Sequence, residues 1–307
     1  MAGATAMRRI QHPGPAATQR STVIPATAQA CRFSLAPGQS LLAALVDALA
    51  PSGARSAVLT LAGGSLFPFA HVLPALAKTP EHAVYFSDRF DAAAPVRLDF
   101  ASVTYGQRDG KPWLHGHALW TDGDGGQHCG HLLPEDCVLA APVAASAWLL
   151  AGAGFEVCAD AETRFSLFKP VAWPTQTPSQ TPAKTPEKTP STAARPVLLV
   201  RLAPNEDVCT ALETVCRERG IRNATLRGGV GSTVGVRFDD GRRVEPFVTE
   251  TLVRQGRVRP GPGGELLAEI DVSMVDHLGG QASGRLARGV NPVLVTFELV
   301  LEPATPD

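Results

Sequence analysis

Apolar residues along this chain fall into two kinds of run. Two short stretches place them at helical spacing. Leu41, Leu42, Leu45 and Leu49 form one, closed by Gly53, and Val208, Leu212, Val215 and Cys216 the other, entered through Asn205-Glu206-Asp207 and closed by Gly220. After each comes a short apolar segment that reads as a strand, Ala57 to Leu61 and Ala224 to Leu226. A small-residue turn then follows, Gly63-Gly64-Ser65 in one case and Gly228-Gly229-Val230-Gly231-Ser232 in the other. Further on the apolar residues alternate or run continuously, broken by Asp109-Gly110, Asp239-Asp240-Gly241 and Gly261-Pro262-Gly263-Gly264, which predicts strands. Each half is therefore expected to be α+β, a mostly antiparallel sheet with one main helix.

The two halves repeat one another. At a fixed offset of 167, Leu35-Ala36-Pro37 recurs as Leu202-Ala203-Pro204. Ala44, Leu45, Gly53, Arg55, Ala57, Leu59, Gly64 and Ser65 also return at that offset, too many for chance in so short a window. Between the halves, Thr-Pro recurs every four residues from Thr177-Pro178 to Thr189-Pro190. Proline lacks a backbone donor and fixes φ, so this segment predicts an extended tether of ~3.1 Å per residue. The expected division is a flexible tail at 1–30, a module at 31–169, a Pro/Thr-rich linker at 170–195 and a second module at 196–303.

Composition narrows the class. The chain has 307 residues, 44% of them hydrophobic, and a formal charge of -1. That is enough apolar content for packed cores, and too little positive charge to bind polyanions in bulk. Residues 196–307 carry thirteen basic against fifteen acidic residues. Six cysteines at 31, 129, 137, 158, 209 and 216 form no CxxC pair, which reads as reduced thiols in a cytoplasmic protein. Residues 1–30 hold three Arg and no acid but lack a continuous apolar core, so they do not read as a signal peptide. The uncharged stretch Val138 to Phe155 contains Pro142, Gly152 and Gly154, and is expected to be a buried strand with its turn, not a membrane span.

The chemistry concentrates at His115, His117, His128 and His131. Trp113 to Trp120 reads as one strand, Asp122 to Gly126 as a turn, and Gln127 to His131 as the returning strand. Residues i and i+2 of a strand point the same way, with Cβ atoms ~7 Å apart, so His115 and His117 project together. His131 returns to supply a third nitrogen. Three histidines suit a divalent ion, zinc first, and leave one position open to a ligand oxygen. His128 and Cys129 are the alternatives for the third ligand. At an offset of 154 the second module places Glu269, Asp271 and Arg285 at the three histidine positions, while Asp122, Gly125-Gly126 and Gly130 are kept as Asp276, Gly279-Gly280 and Gly284. These charged residues predict an ion-pair network in place of a cation, with a carboxylate site for a harder metal as the weaker alternative.

The order of these motifs resembles the PPC (or PCC) domain, the plants and prokaryotes conserved domain. Gly64-Ser65, Leu114-His115-Gly116-His117 and Gly130-His131-Leu132 carry the likeness in the first module. Gly229-Val230-Gly231-Ser232, Val244-Glu245-Pro246, Gly284-Arg285-Leu286 and Thr296-Phe297-Glu298 carry it in the second. The resemblance implies a sandwich-like domain that assembles as trimers, metal binding through these histidines in some prokaryotic members, and DNA binding in plant members that add AT-hooks. The tandem pair departs from the single-domain pattern.

Other sites are weaker. The glycines at 228–232 lack the Lys of a phosphate loop and read as a structural turn. Gln255 to Gly261 matches an AT-hook only loosely, and Arg242, Arg243, Arg254, Arg257 and Arg259 read as a solvated mixed face. No Ser-His-Asp or Cys-His arrangement stands out, which leaves turnover open. Glu135, Asp136, Asp88 and Arg89 are candidate supporting groups. The sequence thus predicts a homo-oligomeric PPC-like protein, not membrane-bound, whose first module binds zinc through His115, His117 and His131 and takes a small anionic ligand. A DNA-binding regulator and a non-catalytic assembly module are the alternatives.

Overall fold

The computed structural model of the chain describes residues 7–173 and 193–304. The Thr-Pro repeat of the expected linker lies outside the described residues. The first module runs β1 (Ser21–Leu35), α1 (Leu41–Leu49), a 3-10 turn (Ala50–Ser52) and β2 (Ala57–Ala62). The short strands β3 (Ser65–Leu66), β4 (Ala70–Val72), β5 (Pro74–Leu76), β6 (Val84–Phe86) and β7 (Phe90–Asp91) follow. Longer strands complete it: β8 (Val96–Arg108), β9 (Lys111–Thr121), β10 (Gln127–Leu132), β11 (Val143–Ala151), β12 (Ala153–Ala159) and β13 (Ser166–Ala172). The second module is β14 (Arg195–Leu202), α2 (Val208–Glu218), β15 (Ala224–Arg237), β16 (Arg243–Pro260), β17 (Leu266–Asp276), β18 (Gln281–Arg285) and β19 (Val293–Pro303).

The fold is a mostly antiparallel β structure, which corrects the α+β expectation. Among the described residues, seventeen strands join in one sheet and β5 and β6 form a separate pair. The helices span only 9 and 11 residues. Both helices are capped: Ser40 Oγ accepts from the Ala43 amide, and Asp207 Oδ1, within the predicted helix entry, from the Thr210 amide. A helix this short covers one face of a module core; Leu41, Leu45 and Leu49 do so in the first and Val208, Leu212 and Val215 in the second. The period-2 text around them is laid out as sheet.

Two local expectations also change. Residues 21–30, assigned to a flexible tail, form most of β1. From Ser21 to Ala28 this strand pairs with β14 of the second module, and from Thr27 to Leu35 with β11 of the first, so it ties the modules together. Pro25 lies within this paired stretch. At Pro25 β1 has β14 on one side only, and an edge position tolerates a missing backbone donor. The glycines at 228–232 are not a turn but lie inside β15, which shifts register on β19 between Leu226 and Gly228 and again between Gly231 and Thr233. Their small size serves close packing. A Cβ on Gly231 would lie 2.5 Å from the Thr296 carbonyl oxygen, and one on Gly229 would lie 2.6 Å from Leu299.

The stretch Val138 to Phe155 is strand and turn, as its glycines and proline predict: β11 ends at Ala151, Gly152 turns at φ +80°, and β12 begins at Ala153. No helix among the described residues is long and apolar enough to cross a membrane. The internal repeat is visible in strand pairing. Ala57 pairs with Tyr105 as Ala224 pairs with Val258, and His117 with His131 as Asp271 with Arg285. The turns match too: Asp122 Oδ1 accepts the amides of Asp124 and Gly126, and Asp276 Oδ1 those of Leu278 and Gly280.

Candidate metal centre

The alternation of β9 decides which side chains meet. Leu114, Ala118 and Trp120 point into the core of the first module. His115 and His117 therefore point to the opposite face, which packs on the second module. On the returning strand, Leu132 joins the core, while Cys129 packs beside Leu119 against Leu252 and Val275 of the second module. His131, two residues after Cys129, lies on that same face and opposite His117 in the register. Gly116, between the two histidines, is tight: a Cβ there would lie 3.1 Å from Val103.

The three predicted histidines come together. Their ring centroids form a nearly equilateral triangle with sides of 4.9, 5.0 and 5.1 Å, and each offers a ligand atom within 4.8 Å of the others. His115 Nε2 and His117 Nε2 stand 3.2 Å apart. Two ligands bound to a tetrahedral zinc at ~2.0–2.1 Å are ~3.3–3.4 Å apart, so the spacing fits. His117 is fully buried, and His115 and His131 keep 17% and 18% of their side-chain exposure.

The far side of each ring is held by the second module. His115 Nδ1 lies 3.0 Å from Glu298 Oε2, His117 Nδ1 lies 3.0 Å from the Thr251 carbonyl oxygen, and His131 Nδ1 lies 3.2 Å from Glu250 Oε1. A carbonyl or carboxylate oxygen only accepts, so the Nδ1 atoms carry the protons and donate them. A neutral imidazole then has a bare Nε2. Bare Nε2 atoms facing each other at 3.2 Å repel, and a cation between them removes the repulsion.

Titration follows the same contacts. Burial lowers the His115 pKa, but the charge of Glu298, its hydrogen bond and the charge of Glu250 outweigh it, and the net shift is upward. His131 is held below the usual range, chiefly by burial, with Glu250 opposing only in part. Burial pushes the Glu250 carboxyl up, yet its attraction to His117 and His131 more than reverses this and holds it well below the carboxylate range. Glu250 Oε2 is buried and has no hydrogen-bond partner.

The triangle opens on a cavity of ≈ 310 Å³ whose wall is mainly apolar, with Tyr85, Phe86, Trp113, Phe165 and Leu294 among the lining residues. Phe86 meets His131 edge-on at 5.0 Å. Of the other sequence candidates, His128 lies outside the site, pairing with Asp122 in the turn at 2.6 Å. Cys129 is buried, and burial pushes its thiol far up, which removes the thiolate a metal would need. Glu135 and Asp136 line the cavity; Arg89 instead bridges Asp91 and Asp136, and Asp88 sits near Lys78, outside it.

In the second module the expected ion pairs form, with one change of partner. Arg285 Nε donates to Asp271 Oδ1 at 2.9 Å, whereas Glu269 pairs with Arg257 and Arg259 instead of Arg285. Hydrogen bonds from those two guanidinium groups hold the Glu269 carboxyl down to about 2.

Sequence reasoning missed Glu250, Thr251 and Glu298. A signal existed: each carboxylate interrupts an otherwise buried apolar strand, Glu298 between Phe297 and Leu299 and Glu250 just ahead of Leu252 and Val253. Such a charge requires a partner.

Comparison with known proteins places this β fold in a class. Residues 190–305, which span the second module, match the Plants and Prokaryotes Conserved (PCC) domain. The first module repeats that domain's strand pairings. No curated protein sequence matches the chain. Among solved structures, a plant- and prokaryote-conserved (PPC) protein from Pyrococcus horikoshii is 15% identical, with 49% of this chain and 97% of that one covered at a TM-score of 0.40. A metal-containing protein from Archaeoglobus fulgidus is 19% identical, with 47% and 94% covered at a TM-score of 0.38. A candidate DNA-binding protein from Ralstonia eutropha is 17% identical, with 45% and 89% covered at a TM-score of 0.34.

Proposed function

We propose that this PCC-domain protein binds one divalent ion, zinc, through His115, His117 and His131, and presents it to a small ligand in the adjoining cavity. The observation that carries the reading is the buried triangle of imidazoles, with two Nε2 atoms 3.2 Å apart and their Nδ1 atoms already occupied. Three neutral nitrogens suit zinc better than magnesium or calcium, which favour oxygen donors. An ion bound there would act as a Lewis acid toward an oxygen donor entering from the cavity. The chain itself fixes the rings, lines the cavity with apolar side chains such as Phe86 and Trp113, and supplies carboxylate charge from Glu250 and Glu298. That charge offsets the ion, so a neutral or singly anionic ligand suits the site. Thirteen basic against fifteen acidic residues over 196–307 argue against a polyanion as the partner.

Elemental analysis of the purified chain beside His115→Ala/His117→Ala tests the reading. The expected result is about one zinc per chain in the parent and none in the variant. Equal metal in both would remove the proposal.

A further inference from the structure

The second module has lost its own histidines, yet it touches all three of the first module's. We propose that it serves as the outer shell of that site: Glu298, Glu250 and the Thr251 carbonyl each hold the Nδ1–H of one histidine and so aim three Nε2 atoms at a single ion. This rests on the metal-binding reading above and goes beyond it, by making the site a product of both modules.

Three observations agree. Glu298 lies on β19, Glu250 and Thr251 on β16, and none belongs to the module that carries the histidines. All three acceptors meet Nδ1, leaving Nε2 as the free atom of each ring. Both carboxylates are withdrawn from water, with side-chain exposures of 1% for Glu298 and 9% for Glu250. A buried charge is costly unless it is paired, and a hydrogen bond from a metal-bound imidazole is such a pairing: the ion polarises the ring, and the carboxylate strengthens its basicity. The second module's own face has no use for this arrangement, since Arg257, Arg259 and Arg285 already neutralise Glu269 and Asp271. Loss of the histidines in one copy therefore costs nothing to the site in the other, whereas loss of Glu298 or Glu250 does.

The test is zinc affinity of the full chain, measured by competition with a chromogenic chelator, together with the visible spectrum of the cobalt(II) form. Glu298→Gln keeps an acceptor without charge and Glu298→Leu keeps neither. The expected order is parent, then Gln, then Leu, with the Leu variant weaker by about 10–100-fold and its cobalt spectrum shifted. Glu250→Gln should weaken binding in the same direction. If the carboxylates only hold the modules together, unfolding midpoints fall while the affinity and spectrum of the folded variants match the parent, which overturns the proposal. Nitrogen-15 NMR of the zinc-loaded parent needs no variant at all. All three histidines should show a protonated Nδ1 and a coordinated Nε2, and any one bound through Nδ1 overturns it. A parent chain that binds no zinc would instead defeat the metal-binding reading itself.

Discussion

The site at His115, His117 and His131 and its counterpart at Glu269, Asp271 and Arg285 share a backbone and differ in what they leave unfinished. In both, the second residue of the strand faces the third residue across the hairpin, His117 against His131 and Asp271 against Arg285. In both, one aspartate folds the connecting turn, Asp122 or Asp276. The second site is closed by its own charges: Arg285 bonds Asp271 and the arginines at 257 and 259 bond Glu269, beside a cavity of ≈ 510 Å³. In the first, every Nδ1 is satisfied, and His117 Nε2 lies 3.2 Å from His115 Nε2 and 3.6 Å from Glu250 Oε1. An arginine is a permanent cation that cannot be exchanged. Three bare imidazole nitrogens make a place for one that can.

The strongest way to break this contrast is to remove each triad in turn. His115→Ala/His117→Ala should abolish zinc content, while Glu269→Ala/Asp271→Ala should leave it at the parental level. Loss of zinc from the second pair alone would mean that the ion sits in the wrong module. A smaller effect is expected from grafting, with Glu269→His/Asp271→His/Arg285→His introduced together. The new rings would face Gln255 and Arg257 across the sheet without carboxylates from another module behind them. Their zinc affinity should be about 10–100-fold below that of the first site, and a titration should resolve two unequal steps. Two equal steps would show that the outer shell adds nothing.

Acid should separate the sites more gently. Metal and protons compete for the same ring nitrogens, so zinc affinity should fall severalfold between pH 7.5 and about pH 6, His115 taking up its proton first because its pKa is raised. Without metal the signs diverge. His131 is held below its unfolded value, so its folded form favours the neutral ring and loses relative stability as pH falls beneath that value. His115 is raised, so its contribution is fully present below the unfolded value and fades as pH rises through the folded one. Glu269, held down to about 2, stabilises above the ordinary carboxylate value of 4.5 and loses this only as pH drops from there toward about 2. A pH series of zinc competition, with carbon-13 NMR following Glu269, checks this. Glu269 titrating together with zinc release would contradict it.

Much of this was legible in the sequence, and the limits have physical causes. His115 and His117 share a face because strand side chains alternate, and His131 returns because Asp122 and Gly125 make a tight turn; both follow from local text. The entry of the second helix followed from Asn205-Glu206-Asp207, and the Ser40 cap of the first came only with the structure. The fold class did not follow, because two clear helical patterns drew weight away from the much longer period-2 segments. The strand at 21–30 was hidden by Pro25 and by a partner, β14, that lies about 170 positions away in sequence. Glu250 and Glu298 stand out locally as charges within apolar strands, but their partners do not: they meet the histidines across 119 and 183 positions, and no local pattern encodes that distance.

X-ray absorption at the zinc edge of the loaded full-length chain tests the central claim most directly. The account predicts one zinc per chain with three imidazole nitrogens at ~2.0–2.1 Å and no sulfur. A sulfur scatterer at ~2.3 Å, or fewer than three imidazoles, would contradict it.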